Sequence, residues 1–87
     1  MPFAVLYQPD CLEKDIPKLD RSLLKRIRRT IEERLSVAPA DFGKPLRHTS
    51  EGLWSLRVGD WRVIYKISGN EIWVLRIGHR REVYGFI

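Results

Sequence analysis

The C-terminal half of this 87-residue chain concentrates the side chains that could act on a phosphate group. Residues 44–87 hold eight Lys or Arg and four Asp or Glu, whereas residues 1–43 hold eight and seven. Guanidinium groups are permanently charged, and their paired N–H donors match the oxygens of a phosphate. The sequence therefore predicts an anionic partner for the basic half. Its candidate contact residues are Lys44, Arg47, His48, Arg57, Arg62, Arg76, His79, Arg80 and Arg81.

Two of these arginines are predicted to face each other across a β-hairpin. Residues 53–58 and 61–67 are rich in β-branched and aromatic side chains, and a Gly-Asp pair separates them. A two-residue turn at this pair places Arg57 directly opposite Arg62, because side chains alternate between the faces of a strand. Their face also receives Ser55 and Ile64, and the opposite face collects a core layer of Trp54, Leu56, Val63 and Tyr65.

Like charges directly opposite each other destabilise a hairpin, so the Arg57–Arg62 pair needs a physical reason. One interpretation is that both guanidinium groups extend into water or pair with Glu51 and Glu82. The other is that the two arginines bind phosphate groups together.

The third β-rich run, residues 72–77, can be placed in two registers. A two-residue turn would put Trp73, Leu75 and Ile77 on the face of the arginines. A three-residue loop with a bulge would put them in the core and move Arg76 beside Ile64. We expect the second arrangement because it leaves one face without charges, although a slip of one residue reverses every assignment.

The N-terminal half predicts one strand and two helices. Residues 3–7 form the strand, and Asp10, with Glu13 as a capping box, begins a helix that ends near Ile16 because Pro17 follows. Asp20 begins a longer helix over residues 21–36. One face of that helix carries Leu24, Ile27, Ile31 and Leu35 at helical spacing.

These elements predict a single α+β domain over residues 1–87, with the order β-α-α-β-β-β. The helical hairpin packs on a mainly antiparallel four-stranded sheet. Cys11 is the single cysteine, which excludes an intramolecular disulfide and suits a reducing compartment. No apolar run approaches a membrane span, and the first residues do not resemble a secretion signal, so we expect a cytoplasmic protein with no membrane partner.

Other common site chemistries lack the required spacing. The two histidines and one cysteine do not form a metal-ligand pattern, and the glycines do not form a phosphate-binding loop. The sequence therefore predicts neither a metal site nor a cofactor.

Two sequence blocks carry a family resemblance. Residues 52–65 and 77–84, together with Lys44-Pro45-Leu46, resemble the C-terminal half of RelE-like toxins of the RelE/ParE superfamily. The strand and helix pair upstream fit the same family. The resemblance implies a toxin of a bacterial type II toxin–antitoxin system, and a cognate antitoxin protein as its partner.

The RelE-type resemblance implies a metal-independent endoribonuclease that cleaves ribosome-bound mRNA and so inhibits translation. In such an enzyme Arg57 and Arg62 would hold the phosphate, Arg80 would offset charge on the phosphoryl group, and Tyr84 would stack on or orient a base. His79 and Arg81 would be their neighbours. ParE-type members of the superfamily inhibit DNA gyrase instead, and a catalytically weak interaction module is a third interpretation.

The chain departs from the pattern of some ribosome-dependent members, which carry lysines on the strand that corresponds to residues 53–57. Leu53 and Ser55 occupy those positions here. The general base would then be His48, His79 or Lys44.

Overall fold

A computed structural model describes residues 2–47 and 51–86. Its strands form one sheet in the order β1-β5-β4-β3-β2, and helices pack on one face. The strands are β1 (Ala4–Tyr7), β2 (Lys44–Pro45), β3 (Leu53–Val58), β4 (Trp61–Ser68) and β5 (Glu71–His79). The first helix has wide, π-type turns over Cys11–Asp15 and a tight, 3₁₀ segment over Ile16–Lys18. The second helix is α1 (Arg21–Thr30), which continues through Ile31–Leu35. Two short segments follow, α2 (Pro39–Phe42) and a final 3₁₀ turn (Val83–Phe86).

The predicted α+β class and the mainly antiparallel sheet are confirmed. β1 pairs in parallel with β5, and the other three pairings are antiparallel. The sheet has five strands rather than the four predicted. The additional strand is β2, which pairs with Ser55 and Trp54 of β3.

The first helix begins differently from the prediction. Asp10 is already helical and its side chain makes no capping hydrogen bond, so the predicted capping box is wrong. The Asp10 carboxylate instead lies 3.7 Å from the ammonium group of Lys14, one turn onward. Helical turns continue to Lys18 because Pro17 lies at the start of the 3₁₀ segment. A backbone N–H at that position has no acceptor within the helix, so proline loses no hydrogen bond there.

The second helix confirms its predicted cap and apolar face. The Asp20 carboxylate accepts a hydrogen bond of 2.8 Å from the backbone N–H of Leu23. α1 continues through Leu35, close to the predicted end at residue 36. Ile27, Ile31 and Leu35 are fully buried, and Leu24 packs against the same core at half burial.

The β3–β4 hairpin has the predicted register. Arg57 pairs with Arg62 across a turn in which Gly59 has a φ of +61°, a conformation that favours glycine. Leu56, Val63 and Tyr65 are buried in the main core. We call the sheet face that carries Ser55, Arg57, Arg62 and Ile64 the arginine face; it lies opposite the helices.

The predicted placement of β5 is partly wrong. Gly69-Asn70 forms a two-residue turn, and the extra residue enters as a bulge opposite the Ile64–Tyr65 step. Ile72, Val74 and Ile77 therefore enter the core, whereas Leu75 packs on the other face and Trp73 is absent from the core. Arg76 does pair with Ile64, as predicted.

The core and the loop before β2 are joined through Tyr65. Its hydroxyl donates a hydrogen bond of 2.5 Å to the backbone oxygen of Pro39. A Cβ at Gly43 would lie only 1.8 Å from this hydroxyl, so residue 43 must be glycine for the loop to pass Tyr65. Burial raises the pKa of Tyr65 to about 12, so the hydroxyl keeps its proton.

A second, smaller apolar cluster stabilises the arginine face. The 3₁₀ turn places Val83, which is fully buried, against Leu53 and Ile64. Leu46 and Leu75 pack around this cluster. The end of the described chain is thereby held over the arginine face.

Candidate functional site

A cleft of about 350 Å³ opens on the arginine face at its β2 side. β3 and β4 supply polar groups to its floor, and the 3₁₀ turn and the segment from α2 to β2 supply its walls. Its lining residues are Phe42, Lys44, Pro45, Leu46, Ser55, Arg57, Arg62 and Tyr84.

The two arginines of the hairpin differ in how firmly they are held. Arg62 donates from Nη1 to the backbone oxygens of Gly59 and Trp61, at 3.0 Å each, so its guanidinium is positioned by the turn. Arg57 is exposed. Within residues 2–47 and 51–86, no carboxylate forms an ion pair with either arginine, so the suggested pairing with Glu51 or Glu82 does not occur there.

Tyr84 reaches the cleft because the 3₁₀ turn is anchored beside it by Val83. The Tyr84 hydroxyl lies 3.3 Å from Ser55 Oγ, within hydrogen-bonding distance. Tyr84 as a whole remains 45% exposed, although its hydroxyl contacts Ser55. An exposed ring with a fixed hydroxyl can stack on a flat ligand without reorganising.

The electrostatics of the cleft favour an anion. Lys44, Arg57 and Arg62 contribute three positive charges, and none of the lining residues that the structure describes carries a carboxylate. Repulsion between Arg57 and Arg62 lowers the stability of the free protein only slightly, because charges near solvent are well screened. A phosphate in the cleft would accept hydrogen bonds from the guanidinium groups and relieve their repulsion.

Arg80 follows β5, lies beside the β3–β4 turn and does not line the cleft. The Arg80 backbone N–H donates to the backbone oxygen of Asp60 at 2.8 Å, and Arg80 Nε lies 3.9 Å from the carboxylate oxygen Oδ1 of Asp60. Both side chains are at least half exposed, so this ion pair is weak. Arg80 is therefore next to the turn that positions Arg62.

His79 is held by two contacts. Its ring meets Trp61 edge-on, with 5.7 Å between the centroids. Its Nδ1 accepts a hydrogen bond of 3.3 Å from the backbone N–H of Arg81, which requires that Nδ1 carries no proton. Arg81 itself is exposed.

Arg76 has a structural role rather than a place in the cleft. Its Nε and Nη2 donate to both oxygens of Asp15, at 2.8 and 2.9 Å. The same carboxylate accepts from the backbone N–H of Ile77, beyond the point where β1 stops pairing with β5. Hydrogen bonding to Asp15 raises the pKa of Arg76. The prediction that Arg76 contacts the anionic partner is not supported by this placement.

Three candidate residues precede β3. Of these, Lys44 lines the cleft, and Arg47 is exposed and follows Leu46, which forms part of the cleft wall. His48 lies outside the described residues. Sequence reasoning missed Phe42, which is half exposed and lies under the Arg34 guanidinium at 5.5 Å. The available sequence signal was an aromatic residue two positions before Lys44.

The described part of the chain lacks two features. No group of three or more His, Cys, Asp or Glu side chains in it could hold a metal ion. None of its helices is long and apolar enough to cross a membrane.

Comparison with solved structures shows a RelE-like fold. The chain is 30% identical to a chain of the RelBE2 toxin–antitoxin complex of Mycobacterium tuberculosis, with a TM-score of 0.84 over 92% of this chain and 93% of that one. It is 24% identical to a chain of the RelB–RelE complex of Methanococcus jannaschii, with a TM-score of 0.72 over 94% and 98%. The isolated Escherichia coli RelE toxin, 19% identical, superposes with a TM-score of 0.71 over 97% and 93%.

Comparison with curated proteins gives no match. The sequence model of the ParE toxin of type II toxin–antitoxin systems, by contrast, matches residues 7–84 and so spans most of the chain, including both blocks that carried the resemblance. Sequence family and fold therefore agree, and the chain belongs to the ParE toxin family of type II toxin–antitoxin systems, within the RelE/ParE superfamily.

Proposed function

We propose that this toxin inhibits translation by cleaving ribosome-bound mRNA in the cleft of the arginine face. The observation that carries the proposal is the convergence of Lys44, Arg57, Arg62 and Tyr84 on one cleft, whose described lining residues include no carboxylate. Cations suit a phosphodiester, and an exposed tyrosine suits an unpaired base. RNA supplies both groups together with a 2′-hydroxyl that can act as the nucleophile.

In the proposed reaction the 2′-hydroxyl attacks the adjacent phosphorus. A bond forms between the 2′-oxygen and phosphorus, and the bond from phosphorus to the 5′-oxygen of the next nucleotide breaks. The base takes the 2′-hydroxyl proton, and an acid gives a proton to the leaving 5′-oxygen. The products are a 2′,3′-cyclic phosphate and a 5′-hydroxyl, and no cofactor takes part.

The arginines stabilise the charge that develops on the phosphoryl oxygens. Arg62 is held by two backbone oxygens, so its guanidinium is oriented before RNA binds. Arg57, directly across the hairpin, supplies the second guanidinium. Arg80 lies at the same turn, and we assign to it the stabilisation of negative charge on the transferring phosphoryl group.

Of the candidate bases that the structure describes, Lys44 is the one that lines the cleft, and proton transfer is assigned to the fraction of it whose amine is neutral. His48 is the alternative base, and it lies beyond the described residues. His79 is the weaker alternative, since Nδ1 is occupied by the Arg81 N–H and the ring packs on Trp61. Comparing the pH–rate profiles of Lys44→Ala, His48→Ala and His79→Ala separates the three, because loss of the base removes the acidic limb of the profile.

The proposed protein partner is a cognate antitoxin. The solved relatives RelBE2 of M. tuberculosis and RelB–RelE of M. jannaschii are toxin–antitoxin complexes. An antitoxin segment that is acidic or amphipathic would cover the cationic cleft and exclude RNA. Its association rate with this toxin should fall as the salt concentration rises.

Inhibition of DNA gyrase is the second candidate function. The matching sequence model is that of a ParE toxin, and the superfamily resemblance links ParE-type members to gyrase.

The experiment that separates the two functions is a parallel pair of assays with the purified toxin. The proposal predicts that translation in a cell-free extract stops and that mRNA is cut at codon-spaced positions, whereas supercoiling by gyrase continues. Gyrase inhibition with intact mRNA would replace the ribonuclease proposal by the second function.

A further inference from the structure

A second basic surface lies on α1, outside the cleft. We call it the α1 groove, and it has a volume of about 270 Å³. Its lining residues are Ser22, Lys25, Arg26, Arg29 and Thr30. They follow helical spacing along one side of α1, and the three cations among them are exposed. None of the residues that line the groove is acidic.

The arrangement of charge in the α1 groove is unfavourable for the isolated protein. Lys25 and Arg29 are one helical turn apart, and like charges at this spacing destabilise a helix by a few tenths of a kcal/mol. No carboxylate forms an ion pair with any of the three cations within the described ranges 2–47 and 51–86. An anionic partner would remove this repulsion.

The β3–β4 turn joins the α1 groove to the cleft. A Cβ at Gly59 would lie 3.3 Å from Arg26 Nη2, so the Arg26 guanidinium lies against this glycine. The backbone oxygen of Gly59 also accepts a hydrogen bond from Arg62. Gly59 therefore lies between a cation of the groove and a cation of the cleft. Its neighbour Asp60 is the acidic residue at this junction, and Arg80 lies within 3.9 Å of its carboxylate.

The chemistry of the groove differs from that of the cleft in one informative way. The cleft includes Tyr84 and Phe42, whereas the groove offers ammonium, guanidinium and hydroxyl groups and no aromatic ring. Recognition of unpaired bases relies on stacking against aromatic side chains, whereas duplex RNA is recognised through phosphates and 2′-hydroxyls. The groove spans roughly 12 Å from residue 22 to residue 30, at 1.5 Å per residue. A stripe of this length faces about three phosphates of one strand.

We propose that the α1 groove binds the phosphate backbone of double-stranded RNA while the cleft holds a single strand. The inference rests on the proposed function, because it supplies the RNA on which the cleft acts. Together the two surfaces would position the toxin where a single strand adjoins a duplex.

Binding measurements with two RNA probes test the proposal on the full chain. One probe is a duplex of about 16 base pairs, and the other is a short single strand whose 2′-hydroxyls are methylated and cannot attack. Lys25→Ala/Arg29→Ala should weaken binding of the duplex and reduce the slope of its salt dependence by about 1 for each cation removed. The same variant should bind the single strand as the wild-type toxin does.

The matched control is Lys14→Ala/Lys18→Ala, which removes two exposed cations outside the groove. It should bind the duplex more tightly than the groove variant, and thermal melting should show that all variants are folded. Equal duplex binding by the groove and control variants would overturn the proposal. Equal groove-dependent binding of duplex DNA would overturn the assignment to RNA. Failure of the proposed cleavage is a separate result, because these probes report binding alone.

Discussion

The sheet uses its arginines in two opposite ways. Beside the first helix, Arg76 is mostly buried, and its guanidinium and the Ile77 N–H satisfy the Asp15 carboxylate. On the arginine face, Arg57 and Arg62 lie opposite each other near solvent without a carboxylate partner in the described chain. The sequence places all three on β-strands, yet one stabilises the fold and two leave charge available to a ligand.

The difference follows from the surroundings of each charge. A buried charge must be paired and hydrogen-bonded, since its desolvation is costly. An exposed charge needs no partner, so repulsion across the hairpin can be tolerated. Arginine therefore contributes to stability where a helix covers the strand edge, and its charge stays accessible where no helix covers it.

The largest expected loss of stability comes from breaking the buried pair. Arg76→Ala leaves the Asp15 carboxylate, 3% exposed, without its cation. The free energy of unfolding should fall by about 3–5 kcal/mol. Urea denaturation measures this change, with the exposed Lys66→Ala on β4 as control at less than about 0.5 kcal/mol. Equal stability of the two variants would show that Arg76 is not a structural arginine.

Shortening a buried side chain of the core should lower the free energy of unfolding slightly less. Leu56 is 1% exposed, and Leu56→Ala should lower the free energy of unfolding by about 2–5 kcal/mol. The neighbouring Arg57→Ala is the matched control on the other face of β3, and it should change stability by less than about 0.5 kcal/mol. Denaturant titrations of both variants that gave the reverse order would invert the assignment of the two faces.

A smaller effect should appear in the pH dependence of stability. Burial, followed by the nearby Asp15 charge, raises the pKa of Cys11 from its ordinary 9.0 to about 12. The neutral thiol is preferred in the folded state, so its contribution is complete below pH 9 and is lost as pH rises towards 12. At pH 10 the loss should be on the order of 1 kcal/mol.

Cys11→Ala serves as the comparison for this pH effect. Its stability should fall less between pH 8 and 10 than that of the wild-type protein, whatever packing it loses at neutral pH. Parallel denaturation curves at the two pH values provide the measurement. Identical losses in the two proteins would mean that the Cys11 thiol ionises as easily when folded as when unfolded.

Local patterns were sufficient to predict much of the fold. The Gly-Asp turn determined the register of the β3–β4 hairpin, and hence the opposition of Arg57 and Arg62. Asp20 and the apolar face of α1 determined the second helix. Each of these features depends on residues close together in the chain, where spacing alone restricts the geometry.

Features that depend on distant partners were not predictable in this way. The position of the bulge within β5 was not predictable: it lies beside the carboxylate of Asp15, more than sixty positions away, and neither spacing nor turn type indicates that contact. The role of Arg76 depends on the same contact. For the cleft, strand parity identified the two arginines and Ser55, whereas the contact of Tyr84 with Ser55 requires the tail to fold back over the sheet.

The most direct test of the central claim is the rate of mRNA cleavage by Arg62→Ala in a translating cell-free extract. Primer extension measures the cuts, with Lys66→Ala as a control that removes a cation of β4 outside the cleft. Wild-type toxin and Lys66→Ala should cut at similar rates and leave 2′,3′-cyclic phosphates, whereas Arg62→Ala should cut about 10²–10³-fold more slowly. Wild-type cleavage by Arg62→Ala would contradict the claim that the arginine face is the site of the reaction.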